Sequence, residues 1–176
     1  MESALVSLIL MTALLFSVLT LADNYFTTQD TLRAAHTRME MQRQERAETA
    51  LGHVQTEVIS SGSILEITIR NEGTRKLVDF DQWDLIIQYY NEAGLYAVQW
   101  LPYVASVPPD NNEWAVAGLY QTAASLTTEV YEPGILNPGE EMVLQAKLLP
   151  PIGSDTTNMA TIATANGYRL TVLFTY

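Results

Sequence analysis

The chain has 176 residues, no cysteine, and a formal charge of −11 from 20 acidic and 9 basic residues. Lack of cysteine excludes disulfides, thiolate zinc sites and cysteine nucleophiles. The acidic balance repels phosphate backbones and excludes nucleic acid as a partner.

The first element is apolar: Ser3 to Ala22 carry no charged side chain. At 1.5 Å per residue, about 20 such residues match a hydrocarbon core ~30 Å thick, so the segment is expected to cross a bilayer or to be buried within a helical assembly. Its large apolar side chains include Leu5, Leu8, Ile9, Leu14, Leu15, Phe16 and Leu19, the candidate core-packing positions. Hiding twelve such side chains from water, at roughly 1.5 to 3 kcal/mol each, favours burial by about 18 to 36 kcal/mol before entropy is counted. Met1-Glu2 supplies no basic residue ahead of the segment, whereas Arg33, Arg38, Arg43 and Arg46 follow it. The positive-inside rule would then keep the remainder in the cytoplasm. A short basic leader preceding Met1 and removed in processing is the expected resolution. Glu2 either pairs with an N-terminal amine inside an assembly or sits in headgroup water.

Helix-favouring residues continue from Thr28 to Leu51 with no Pro or Gly before Gly52, which predicts one helix from about Ser3 to Leu51 capped by Gly52. Such a rod would be ~75 Å long. Tyr25, Leu32, Ala35 and Met39 recur at spacings of seven, three and four, a thin apolar seam suited to contacts with neighbouring helices. The predicted organisation is residues 1–52 as a hydrophobic N-terminal helix that packs with its neighbours and 53–176 as a separate strand-rich domain.

Past Gly52 the hydrophobic period changes to two. Strands are predicted at 54–60, 64–70, 83–90, 95–100, 114–120, 142–149, 159–164 and 169–176, divided by Gly, Pro and Asn turns. Asn166-Gly167 is the strongest hairpin signal. The expected fold class is α+β: a long N-terminal α-helix followed by an all-β antiparallel sandwich head. From Thr56 onward fourteen acids face five bases, so the head holds −9 of the charge.

No catalytic constellation emerges, and the chain is not expected to be an enzyme or to hold a cofactor. His36 and His53 have no nucleophile at useful spacing, and the glycines occur singly in turns, not in a phosphate loop. Asp79, Asp81 and Asp84, and the run Asp110-Asn111-Asn112-Glu113, offer oxygen ligands of the kind calcium prefers, yet neither fits an EF-hand and a solvated acidic turn explains both. Trp83, Tyr89, Tyr90, Tyr96, Trp100, Tyr103, Trp114 and Tyr120 are either half-buried strand residues or a stacking face for sugar or another subunit. No Asn-x-Ser/Thr sequon occurs, while the run Thr122 to Thr128 leaves O-linked sugar open.

Four stretches carry a resemblance: Ile64 to Gly73 (ILEITIRNEG), Asp79 to Asp84 (DFDQWD), Gly134 to Glu141 (GILNPGEE), and Ala165-Asn166-Gly167 before a final strand. Following a charge-free N-terminal helix, they resemble archaellins and the related small archaellum proteins of the type IV pilin superfamily. Leu5 stands where pilins carry a glutamate, and Ser3 to Ala22 has no Gly, unlike many archaellin helices. The resemblance implies a leader cut by a prepilin-type peptidase, a membrane stage before assembly, a motor platform, and helices bundled as a filament core with β heads outside. The expected function is therefore that of the major structural subunit of an extracellular archaellum-like helical filament for motility, a homo-oligomer of many copies. The alternatives are a low-copy accessory protein binding the cell envelope and an adhesive type IV pilin.

Overall fold

The computed structural model describes residues 2–128 and 132–176, with the side chain of Glu2 left out. The reading of Glu2 as an ion-pair partner therefore lies outside the described residues. The chain divides into two units, Met1–Gln44 and Glu45–Tyr176. Helix α1 spans Glu2–Ala47, so its last residues belong to the second unit.

The helix ends earlier than its composition predicts. Residues from Glu48 onward keep helical propensity, but a turn of the second unit captures their carbonyls: Thr74 N–H donates to Glu48 O (2.9 Å), and the N–H groups of Glu72 and Gly73 donate to Ala50 O (2.8 and 3.1 Å). Leu51 and Gly52 open strand β1 (Leu51–Ile59). Gly52 is therefore not the helix cap. Thr49 finishes the helix instead, its hydroxyl donating to Glu45 O at 2.8 Å. Gly73 is needed at the crossing, because a Cβ there would lie 2.3 Å from Glu48 O.

The second unit is a β-sandwich. The remaining strands are β2 (Ile64–Asn71), β3 (Asp84–Tyr90), β4 (Tyr96–Leu101), β5 (Glu113–Thr122), β6 (Thr127–Thr128), β7 (Glu141–Lys147), β8 (Thr157–Ala163) and β9 (Arg169–Thr175). One sheet has the order β1-β2-β7-β5-β6 and the other β4-β3-β8-β9, with antiparallel pairing throughout both. The α+β architecture is thus as expected, and eight of the nine strands fall where the alternating pattern put them. Two-residue β6, at Thr127–Thr128 in the Thr/Ser-rich run, was not predicted.

Alternation explains the core. Leu65, Ile67 and Ile69 of β2, Leu85, Ile87 and Tyr89 of β3, and Met142, Leu144 and Ala146 of β7 all point between the sheets and are buried. Trp114 is fully buried against Tyr103, with ring centroids 5.0 Å apart in an edge-on arrangement. The β8–β9 hairpin turns at Asn166-Gly167 with Gly167 at φ +80°, and Gly167 N–H donates to Thr164 O at 2.8 Å.

Two predictions follow from this packing. Leu144→Ala, at the centre of the five-stranded sheet, is expected to cost about 2–5 kcal/mol, read as a lower urea midpoint. The Tyr89 hydroxyl donates to Pro150 O at 2.8 Å, and burial raises its pKa above the ordinary 10.0. The protonated phenol is the form the fold favours, so its stabilising contribution is complete below the unfolded pKa and is lost as pH rises through the folded one. Unfolding followed upward from pH 10 should show a loss of stability that is smaller in Tyr89→Phe.

Candidate assembly surface

The candidate functional surface begins on α1. Leu5, Leu8, Ile9, Leu14, Leu15, Phe16 and Leu19 are all exposed, as are Tyr25, Leu32 and Met39 of the predicted seam. The helix is long and apolar enough to cross a membrane, and none of its apolar window is buried within the chain. Apolar residues surround the first part of the helix on every side, the pattern of a helix enclosed by its surroundings. Phe26 and Met41 are exposed apolar residues that the seam spacing missed. Phe26 was legible only as a neighbour of Tyr25; the two rings meet edge-on with centroids 6.0 Å apart.

The hydroxyls within this segment cause no conflict with burial. Ser7, Ser17 and Thr20 donate to the carbonyls of Ser3, Ala13 and Phe16, each at 2.9 Å, and Thr12 lies within reach of both Leu8 O and Ile9 O. Each hydroxyl is thus satisfied inside its own helix.

In the second unit, the stretches that looked like sequence motifs are strand β2 with its closing turn and the turns leading into other strands. Asn71 is fully buried, and its amide donates to Arg75 O (2.8 Å) and Leu136 O (3.0 Å) while its Oδ1 accepts from Gly73 N–H (3.0 Å). Its backbone accepts from Gly139 N–H at 2.7 Å and donates to Glu140 O at 2.9 Å. ILEITIRNEG and GILNPGEE therefore lock onto one another through Asn71, and next to it through the Arg70–Glu141 ion pair. Glu141 is also buried, accepting from Arg70 Nε (3.1 Å) and Nη2 (2.5 Å) and from Ala123 N–H (2.7 Å).

The DFDQWD stretch is a turn plugged into the core. Phe80 and Trp83 are buried edge-on, 5.2 Å apart, and Trp83 Nε1 donates to Val78 O. Asp79 adopts the left-handed conformation at φ 54°, which aspartate tolerates better than most residues. Asp84 accepts from Trp100 Nε1 at 2.8 Å. Asp79, Asp81 and Asp84 do not converge, and among the described residues no group of three His, Cys, Asp or Glu could hold a metal. In the other acidic run, Asn112 Oδ1 accepts from Leu149 N–H (2.9 Å) and Glu113 from Asp110 N–H (3.2 Å), so loop closure uses these oxygens. His53 Nε2 is 2.8 Å from Thr56 Oγ1 beside a bulge in β1, and His36 lies exposed on α1.

The end of α1 that belongs to the second unit is fastened there. Glu45 pairs with Arg75 at 3.0 Å, Arg46 Nη2 donates to Gly167 O at 2.6 Å, and Asn166 Nδ2 donates to Thr49 Oγ1 at 2.7 Å. A cleft of about 200 Å³ opens beside them, lined in part by Glu45, Arg75, Leu77, Trp83 and Asn166. The Asn166-Gly167 turn, read from sequence only as a hairpin, thus also anchors the helix end.

The aromatic residues divide between core and surface. Trp83, Tyr89 and Trp114 are buried, whereas Tyr90, Tyr96 and Trp100 are exposed on β3 and β4.

An apolar leading helix followed by an antiparallel sandwich defines a helix-and-sandwich fold. No protein-family model and no curated protein matches the sequence. Solved structures do match. The archaellum periplasmic stator protein FlaG from Sulfolobus acidocaldarius aligns with a TM-score of 0.51 and 19% identity over 72% of this chain and 99% of that one. The stator complex of FlaF and FlaG from the same organism gives 0.50 and 18% over 70% and 87%. The archaeal flagellum of Methanospirillum hungatei strain JF1 gives 0.50 and 16% over 99% of this chain and 91% of that one. The fold is archaellin-like.

Replacing Asn71 with Leu would remove a hydrogen bond from each of Leu136 O, Arg75 O and Gly73 N–H, while Leu136 O keeps Leu77 N–H and Gly73 N–H keeps Ala50 O. The expected loss is at least about 1–3 kcal/mol, measured by denaturant unfolding, with Gln55→Leu on exposed β1 close to neutral.

Proposed function

We propose that this chain is a structural subunit of an archaellum-like helical filament at the cell surface, held in the membrane before assembly and then buried helix against helix with other copies. The observation that carries the proposal is the helix itself: a bilayer's length of apolar surface that is exposed among the described residues. The exposed Tyr25, Phe26, Leu32 and Met39 beyond it support the choice of copies over lipid alone. A lone anchor needs no apolar residues past the bilayer, whereas a bundle uses them along its length. Contacts that repeat head to tail without closing generate an open filament. The likeness to the Methanospirillum hungatei filament extends over 99% of the chain, helix included, which supports the same reading. Rotation of that filament for swimming is part of the proposal.

A second reading has its own observation. FlaG, whose printed description is a periplasmic stator protein, matches over nearly its whole length. On that reading the chain is a low-copy accessory component of the archaellum. Abundance separates the two: sheared surface filaments composed mainly of this chain favour the subunit, and a trace amount favours the accessory protein.

Leu10→Asp tests the helix directly. A carboxylate in the middle of the apolar segment costs several kcal/mol in either lipid or a helix bundle. The expected outcome is a head with unchanged unfolding but no polymer by electron microscopy. Filaments of normal length from this variant would refute helix burial among copies.

A further inference from the structure

The outward face of the β4-β3-β8-β9 sheet differs from the rest of the head. Strand register places Val98, Gln88, Met159 and Leu173 in one row across all four strands, with Trp100, Ile86, Thr161 and Thr171 in the next. Val98 is 59% exposed, Trp100 59%, Tyr96 56% and Leu173 69%. Both edge strands therefore present large apolar side chains to solvent. The charged residues on this face are Asp84 and Arg169, at opposite ends of one row through Ala163, and they cancel. The opposite outer face carries Glu57, Glu66 and Glu113 against Lys147, with Arg70 paired to the buried Glu141.

We propose that this neutral apolar face is the contact between the heads of neighbouring copies of the chain. The inference rests on the assembly reading above and identifies the head surface that takes part in it. Charge selects the occupant. A second copy brings another head of −9, and such heads approach with least repulsion through surfaces that carry no net charge. The exposed rings are held ready for contact: Trp100 donates to Asp84 (2.8 Å), Tyr96 donates to Gln88 (2.7 Å), and Tyr90 packs on Tyr96 at 5.2 Å. The polar atoms of Trp100 and Tyr96 already have partners, and these contacts restrain the rotamers, so less entropy is lost when a neighbour docks.

Area sets the strength. Four strands about 4.8 Å apart and roughly 20 Å long present a face of about 400 Å². A stable free-standing complex buries about 800 Å² per partner. The face is therefore too small to hold two chains together by itself and becomes effective once the helices have already brought the copies close, when local concentration rises to the millimolar range.

The test uses the full chain with a benzophenone side chain in place of Val98, and a control with the same group in place of Gln55 on β1. Both positions are exposed, so the fold should tolerate them. After illumination, filaments carrying the probe at 98 should give a product of twice the chain mass whose attachment point maps to β3, β4, β8 or β9. Its yield should exceed that of detergent-dispersed chain at equal concentration by at least about 100-fold, and the probe at 55 should not give the same map. Intact filaments without that product overturn the head contact while leaving the filament reading in place. Capture of a polysaccharide at 98 instead, with binding lost in Trp100→Ala, overturns it in favour of a sugar surface. Where no polymer forms, the filament reading fails first, and the same probe in lipid vesicles decides the contact alone: a product between copies supports it, and none overturns it.

Discussion

The dominant physical constraint is a bilayer's length of apolar helix surface that is exposed among the described residues. Twelve large side chains between Leu5 and Leu21 are exposed, and enclosing them is worth about 18 to 36 kcal/mol. That exceeds the 5–15 kcal/mol by which a typical domain is stable. The surroundings of the helix are therefore determined by its environment, whatever the head does. The head, in turn, has a core drawn from both of its sheets, with Leu65, Ile67, Leu85, Ile87 and Leu144 closed off from water.

The stretches that resemble archaellum proteins owe their shape to backbone needs. Asn71 serves three main-chain groups with its side chain and two more with its backbone, which joins the end of β2 to the turn before β7. Phe80 and Trp83 seal one side of the core, and Asp79 supplies the left-handed residue that lets them enter. The turn from Asp79 to Trp83 carries the chain from β2 in one sheet to β3 in the other, so a likeness spread over such connections is one of fold. At 16–19% identity, the fold is what the solved structures share with this chain.

Much of this was legible in the sequence because its two periods are clean. The charge-free run marked the helix, and alternation in ILEITIR or DLIIQYY gave each strand and its buried face. Three features were not legible, two because the deciding partner lies on another element and one because the strand is too short. The helix stops at Ala47 although Glu48 to Leu51 favour continuing, since Glu72, Gly73 and Thr74 take the carbonyls of Glu48 and Ala50. Local propensity is worth tenths of a kcal/mol per residue and yields to several tertiary hydrogen bonds. Two-residue β6 has too few positions to show a period and exists only by pairing with Tyr120 and Thr122. The aspartates of DFDQWD could be read as a solvated turn or as oxygen ligands, because one-letter spacing does not reveal that Asp84 is occupied by Trp100 from the neighbouring strand.

The hydroxyls of the apolar segment bear on how one helix could serve both stages of the proposed assembly. A serine or threonine that needed a partner on another helix would be unsatisfied in lipid, and one satisfied by lipid headgroups would be unsatisfied in a bundle. Ser7, Thr12, Ser17 and Thr20 need neither, because each bonds to a carbonyl three or four residues earlier. Moving the helix from hydrocarbon into a bundle of its own kind would then break no hydrogen bond within this stretch. The exchange is governed by packing, where small polar side chains permit close approach. A segment with internally satisfied hydroxyls and apolar side chains on every face is thus compatible with both environments, and the side chains beyond it, Tyr25, Phe26, Leu32 and Met39, favour the bundle.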